Sequence, residues 1–119
     1  MSKFQVIFLA EAREFLLQLD QKSRDKIIFN IDKAKLNNDS ELFKKLKGEI
    51  WEFRTLFNKT QYRVFAFWDK TNVEHTLVLT THGLIKKTQK TPEKEIEKAE
   101  KIRLKYFEIK NQSKDGNKK

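Results

Sequence analysis

The chain has 119 residues, enough for one hydrophobic core and too few for two, and its 26 Lys and Arg against 17 Asp and Glu give a formal net charge of +9. It contains no cysteine, which excludes disulfides, thiolate zinc sites and cysteine catalysis. The N-terminus MSKFQVIFLAEARE lacks the long apolar run of a signal peptide or membrane span, so a cytoplasmic protein with an anionic partner, and not a membrane protein, is expected.

In chain order, Lys3–Phe8 alternates and is rich in aromatic and β-branched residues, the mark of a strand. Glu11–Leu19 sets Ala12, Phe15, Leu16 and Leu19 at helical spacing. A second helix, from about Ser23 to Leu36, turns Ile27, Ile28, Ile31 and Ala34 inward, so the two helices read as a hairpin. Ser40 is placed to cap one more helical turn over Glu41–Leu46, before a turn at Lys47–Glu49. Three strand-like runs follow, Ile50–Phe57, Tyr62–Trp68 and Glu74–Thr81, with hairpin-sized connections between them. Alternation puts Trp51, Phe53 and Thr55 opposite Glu52, Arg54 and Leu56. It likewise puts Tyr62, Val64, Ala66 and Trp68 opposite Arg63, Phe65 and Phe67. Both faces are partly apolar, so helices are expected to cover one side of the sheet and leave the other for function.

Thr91 as N-cap and Pro92 at the first helical position open the last helix, with a stripe of Ile96, Ala99, Ile102, Tyr106 and Ile109. From Asn111 the polar run NQSKDGNKK reads as a disordered tail. The expected architecture is therefore α+β in the order β-α-α-β-β-β-α, with a small, mostly antiparallel sheet. Residues 1–110 form one domain and 111–119 the tail.

The positive charge is uneven. Residues 41–92 hold ten basic groups against five acidic, whereas residues 1–40 hold seven against six. Within that middle part, Thr80–Pro92 (TTHGLIKKTQKTP) has three Lys, one His and no carboxylate, a composition suited to holding a phosphodiester. No His/Cys/Asp/Glu cluster has metal-ligand spacing, so no metal and no cofactor is expected.

LKGEIWEFRT, with Lys47, Gly48, Glu52 and Arg54, then QYRVFAFWD and HTLVLTTHGLIKKTQKTPEKEIEKAEK after a helical hairpin, resemble the RelE/ParE superfamily of bacterial toxins. The best resemblance is to its HigB-like, phage-type branch, from about Phe4 to Phe107. It implies a RelE-like, microbial-RNase-type fold and a type II toxin that cuts mRNA on the ribosome without a metal, by attack of the substrate's own 2′-hydroxyl. It also implies a cognate antitoxin of the helix-turn-helix, DNA-binding kind. Two alternatives are a ParE-like, non-enzymatic inhibitor of DNA gyrase and a nucleic-acid-binding protein without catalysis.

On this reading the catalytic candidates are Arg54, Arg63, His82 and Lys87, with Lys47, Lys86 and Lys90 as substrate-binding groups. Arg54 and Arg63 lie on adjacent strands, where two guanidiniums grip one phosphate or pair with Glu52. His82 is the natural acid or base at neutral pH, or a structural His before a turn. Lys86 and Lys87 point oppositely in an extended run, so one of them faces the site. Glu52 is an alternative base, and Lys47 another if nearby cations depress its pKa. His75 is assigned no role, and Trp51 and Trp68 are assigned to the core. The tyrosine associated with the last strand of the founding RelE enzymes has no counterpart, since only Tyr62 and Tyr106 are present.

Overall fold

In the computed structural model the described residues are 4–37, 39–71, 76–87 and 90–116, with side chains through residue 112. Eight elements follow one another: β1 (Gln5–Phe8), α1 (Ala10–Gln18), α2 (Gln21–Asn37), β2 (Phe43–Lys47), β3 (Ile50–Phe57), β4 (Thr60–Asp69), β5 (Leu77–Lys86) and α3 (Glu93–Gly116). The five strands form one sheet in the order β1-β5-β4-β3-β2, with β1 parallel to β5 and the other pairs antiparallel. This is the expected α+β class, with one strand more than the sequence reading.

Asp20 decides where α1 and α2 part. Its carboxylate accepts from the Ser23 amide at 3.1 Å and the Ser23 hydroxyl at 2.7 Å, an N-cap that starts α2 two residues earlier than the hydrophobic spacing implied. The two-residue turn between β3 and β4 has Asn58 and Lys59 both at positive φ, 53° and 63°, the backbone that matches the twist of a tight hairpin.

The alternation read from β3 and β4 holds. Phe53, Tyr62, Val64 and Ala66 face α1 and α2, where Leu16, Ile27, Ile31 and Ala34 pack on them. Ile50, Phe65, Phe67 and Leu79 face α3 and meet Ala99, Ile96, Tyr106 and Phe107. Helices thus cover both sides, not one, and the exposed work surface is confined to the part of the α3 side that α3 leaves open.

Three expectations are corrected. Residues 43–47 are a strand and not a helical turn: Phe43 stacks on Phe53 with ring centroids 4.1 Å apart, and Phe43, Lys44 and Lys45 pair with Phe53, Glu52 and Trp51. β5 does not stop at Thr81 but runs through His82 and Gly83 to Lys86. It absorbs one extra residue opposite Phe65, because Ala66 pairs with Thr80 and Val64 with Gly83. α3 continues to Gly116, through most of the run expected to be a disordered tail. The expected starts of the first and fourth strands, at Lys3 and at Glu74 with His75, lie outside the described residues, as do residues 117–119.

Candidate phosphate-binding site

Glu52 is the centre of the open patch. It sits on the α3 side of β3 at 2% exposure, and Arg54 and Arg63 are placed beside it because β3 and β4 pair them in register. Glu52 Oε1 lies 3.2 Å from Arg63 Nε and 3.6 Å from Arg54 Nε, and Thr91 donates its hydroxyl to Oε2 at 3.2 Å. Arg63, 3% exposed, is fixed further by bonds from Nη2 to Gln61 Oε1 at 2.7 Å and from Nη1 to the Tyr62 carbonyl at 3.3 Å. Its Nε is near Glu52 without the alignment of a hydrogen bond, so the contact is an ion pair by distance only. Burial, and to a lesser degree Arg54, lowers the Arg63 pKa while Glu52 opposes the shift. A guanidinium starts so high that it stays charged.

A pocket of about 370 Å³ opens on this patch, lined among others by Lys44, Glu52, Arg54, Lys86, Lys90 and Thr91. Lys86 ends β5, opposite Gln61, and makes no hydrogen bond or ion pair with any described residue. Burial lowers its pKa first, then Arg63, with Arg54 and Lys44 adding to the shift and Glu52 opposing it. One buried carboxylate therefore faces several cations, and the balance is a site for an added anion. Among the described residues no three of His, Cys, Asp and Glu come together as a metal-ligand set.

Of the residues singled out in the sequence, Arg54, Arg63, Lys86 and Lys90 come together here, with Lys47 at the rim. Between the adjacent lysines, Lys86 faces the pocket, while Lys87 follows the strand as an exposed residue and does not line it. Lys47 donates to Glu93 Oε1 at 2.6 Å, and that bond raises its pKa, the opposite of what a base requires. His82 is not part of the pocket. At 4% exposure it stacks on Phe65, 4.9 Å between centroids, with Nε2 3.0 Å from Glu95 Oε1 and Nδ1 3.0 Å from Thr81 Oγ1. It ties the irregular part of β5 to the first turns of α3, and burial lowers its pKa against the pull of Glu95. Trp51 and Trp68 pack in the aromatic cluster on the α1–α2 side, as assigned.

Sequence reasoning missed two participants. Lys44 was hidden by reading residues 41–46 as a helical turn, whereas the strand observed there puts Lys44 opposite Glu52. Thr91 was expected to cap α3, yet its hydroxyl is spent on Glu52.

Three helices on the two sides of a five-stranded mixed sheet, with the basic patch at the open end of β3, β4 and β5, make a RelE-like toxin fold. The chain belongs to the family of phage-derived Gp49-like proteins, whose sequence profile matches residues 14–104. Among solved structures, it is similar to a chain of the toxin–antitoxin complex RelBE2 from Mycobacterium tuberculosis, with a TM-score of 0.54 and 20% identity. That match covers 71% of this chain and 99% of the other, and at such identity it speaks for the fold. No curated protein matches the sequence.

Proposed function

We propose that this protein is the toxin of a toxin–antitoxin pair and an endoribonuclease that cuts mRNA on the ribosome, using side-chain cations and no metal. The observation that carries the reading is the cluster of Arg54, Arg63 and Lys86 around the buried carboxylate of Glu52. Glu52 holds Arg63, Arg63 is pinned to Gln61, and Arg54 and Lys86 keep their charged ends for a ligand. Such fixed cations favour the extra negative charge of a pentacoordinate phosphorus more than the ground-state phosphodiester.

In the reaction the substrate's 2′-oxygen forms a bond to phosphorus and loses its proton, the bond from phosphorus to the 5′-oxygen breaks, and that oxygen takes up a proton. The products are a 2′,3′-cyclic phosphate and a 5′-hydroxyl end. Arg54 grips the non-bridging oxygens. Lys86, whose ammonium is destabilised by burial and neighbouring charge, is the group in the pocket best suited to exchange a proton with the 2′- or 5′-oxygen. His82, buried and bonded at both nitrogens, positions β5 and takes no proton from substrate. Lys87 is assigned no catalytic role, and Lys44, Lys47 and Lys90 attract the RNA. The fold's likeness to a chain of a toxin–antitoxin complex supports a cognate antitoxin as partner.

Primer extension on a reporter mRNA in a purified translation system tests the reading. New 5′ ends that require ribosomes are the expected result. Intact mRNA with and without ribosomes would defeat it, and a supercoiling assay would then ask whether the fold serves to inhibit gyrase.

A further inference from the structure

A second pocket, of about 420 Å³, lies where β2 gives out. Pairing between β2 and β3 ends at Phe53, and a last bond from the Arg54 amide to the Leu42 carbonyl at 2.8 Å closes it. Beyond that point Thr55 and Leu56 have no β2 neighbour and border an open space, with α2 as its other wall. Asn30 of α2 donates from Nδ2 to Thr55 Oγ1 at 3.1 Å, so these two polar walls serve each other.

Charge is what sets the pocket apart. Lys26, Arg54 and Arg63 line it from three different elements, α2, β3 and β4, and Glu41 is the one carboxylate among its described lining residues. Arg63 is committed to Gln61, the Tyr62 carbonyl and Glu52, so it adds charge more than a free donor. Lys26 is half-buried and makes no hydrogen bond or ion pair with any described residue; its Nζ lies 5.2 Å over the Phe29 ring. A cation drawn partly out of water without an anion is short of a partner. Three cations against one exposed carboxylate leave the pocket suited to an anion.

We infer that this pocket holds the RNA phosphate next to the scissile one, with Lys26 as its cation and Arg54 shared between the two phosphates. The inference rests on the nuclease reading above. Arg54 lines both pockets, and a single strand carries one phosphate per nucleotide, so a strand crossing Arg54 sets consecutive phosphates on its two sides. The flanking phosphate does not change charge in the reaction. Lys26 therefore holds substrate and transition state equally, and its contribution falls on KM and not on kcat. A phosphate contact carries no base preference, so the pocket fixes the position of the strand and leaves its sequence unread.

The test is a cycle between protein and RNA. Purified ribosomes are programmed with a synthetic mRNA whose cut site has been mapped, and each phosphate flanking the cut is replaced in turn by an uncharged methylphosphonate. Cleavage by wild type, Lys26→Gln and Lys26→Arg is then compared. Lys26→Gln should raise KM about three- to tenfold, the effect of one partly screened charge contact, with kcat unchanged, and Lys26→Arg should stay near wild type. At one of the two flanking positions the methylphosphonate should cost wild type the same factor and cost Lys26→Gln nothing further. Losses that add at both positions would mean that Lys26 meets some other anion, such as ribosomal RNA, and would overturn the inference while the nuclease reading stands. A fall in kcat with KM unchanged, or equal losses in Lys26→Gln and Lys26→Arg, would overturn it as well. A wild-type protein that leaves the unmodified mRNA intact fails the nuclease reading, and this inference with it.

Discussion

Arg54 and Arg63 are rung partners across β3 and β4, two like charges set directly opposite each other, and one oxygen of Glu52 lies 3.6 Å from the first and 3.2 Å from the second. Like charges on one rung repel, so the sheet tolerates this pair because the carboxylate one rung-pair away sits between them. The arrangement spends stability to hold a positive site in place.

Glu52→Gln should therefore be among the most damaging single changes in the sheet, costing about 3–5 kcal/mol because it leaves a buried guanidinium without its anion. Urea unfolding measures it. In an Arg63→Gln background the same change should cost much less. A wild-type midpoint for Glu52→Gln would mean that Gln61 and the Tyr62 carbonyl alone hold Arg63.

The two-faced alternation of β3 and β4 was readable because both runs are long and rich in aromatic residues. For β2 the pattern was ambiguous: Phe43 and Leu46 stand three residues apart, a helical spacing, and what decides for a strand is a non-local stack of Phe43 on Phe53. His82 followed by Gly83 has the look of a turn, and the strand continues there because β5 takes up an extra residue opposite Phe65. The cationic composition of the site was visible in the chain. Its geometry was not, since the choice of Lys86 over Lys87 depends on where that irregularity falls, and the burial of His82 depends on α3.

At Gly83 β5 lies directly against Phe15 of α1. A Cβ there would lie 2.3 Å from the Phe15 ring, so Gly83→Ala forces the ring to move. The expected cost is about 1–3 kcal/mol of unfolding free energy, as for other overpacked sites. Phe15→Leu should recover part of it in the double variant, and simple additivity of the two losses would contradict the contact.

Asp69 joins the end of β4 to the far half of α3. It accepts from Tyr106 and Lys110 at 2.6 Å each and from Thr71. Burial alone would raise its pKa, but these bonds hold the carboxyl well below the usual carboxylate range. Its contribution is then complete above the unfolded value of about 3.9 and is lost as pH falls below it. Tyr106 is pushed up to about 12, by burial first and then by Asp69. Its contribution is complete below about 10 and is lost as pH rises toward the folded value. Tyr106→Phe should cost about 1.5–3 kcal/mol at neutral pH, the value of a hydrogen bond to a charged group. The gap between wild type and variant should close at both extremes in equilibrium unfolding, and a gap independent of pH would argue against the bond.

His82 makes a further pH prediction. Burial lowers its folded pKa, so the unfolded chain binds a proton first as the solution is acidified. Stability should be full above about 6.5 and decline as pH falls below it. His82→Gln should flatten that decline between pH 7 and pH 5 in thermal melts while the folded variant still cuts RNA. A variant that is folded but inactive would return His82 to the chemistry.

The most direct test of the account compares cleavage rates of Arg54→Ala, Lys86→Ala and Lys87→Ala on one ribosome-bound mRNA, each confirmed folded. Arg54 and Lys86 line the pocket and Lys87 does not. The account predicts losses of about 10²–10³ for the first two, the size expected for removing a fixed electrostatic contact to the transition state, and near wild-type cutting for Lys87→Ala. Equal losses at Lys86 and Lys87, or full activity in Arg54→Ala, would contradict it.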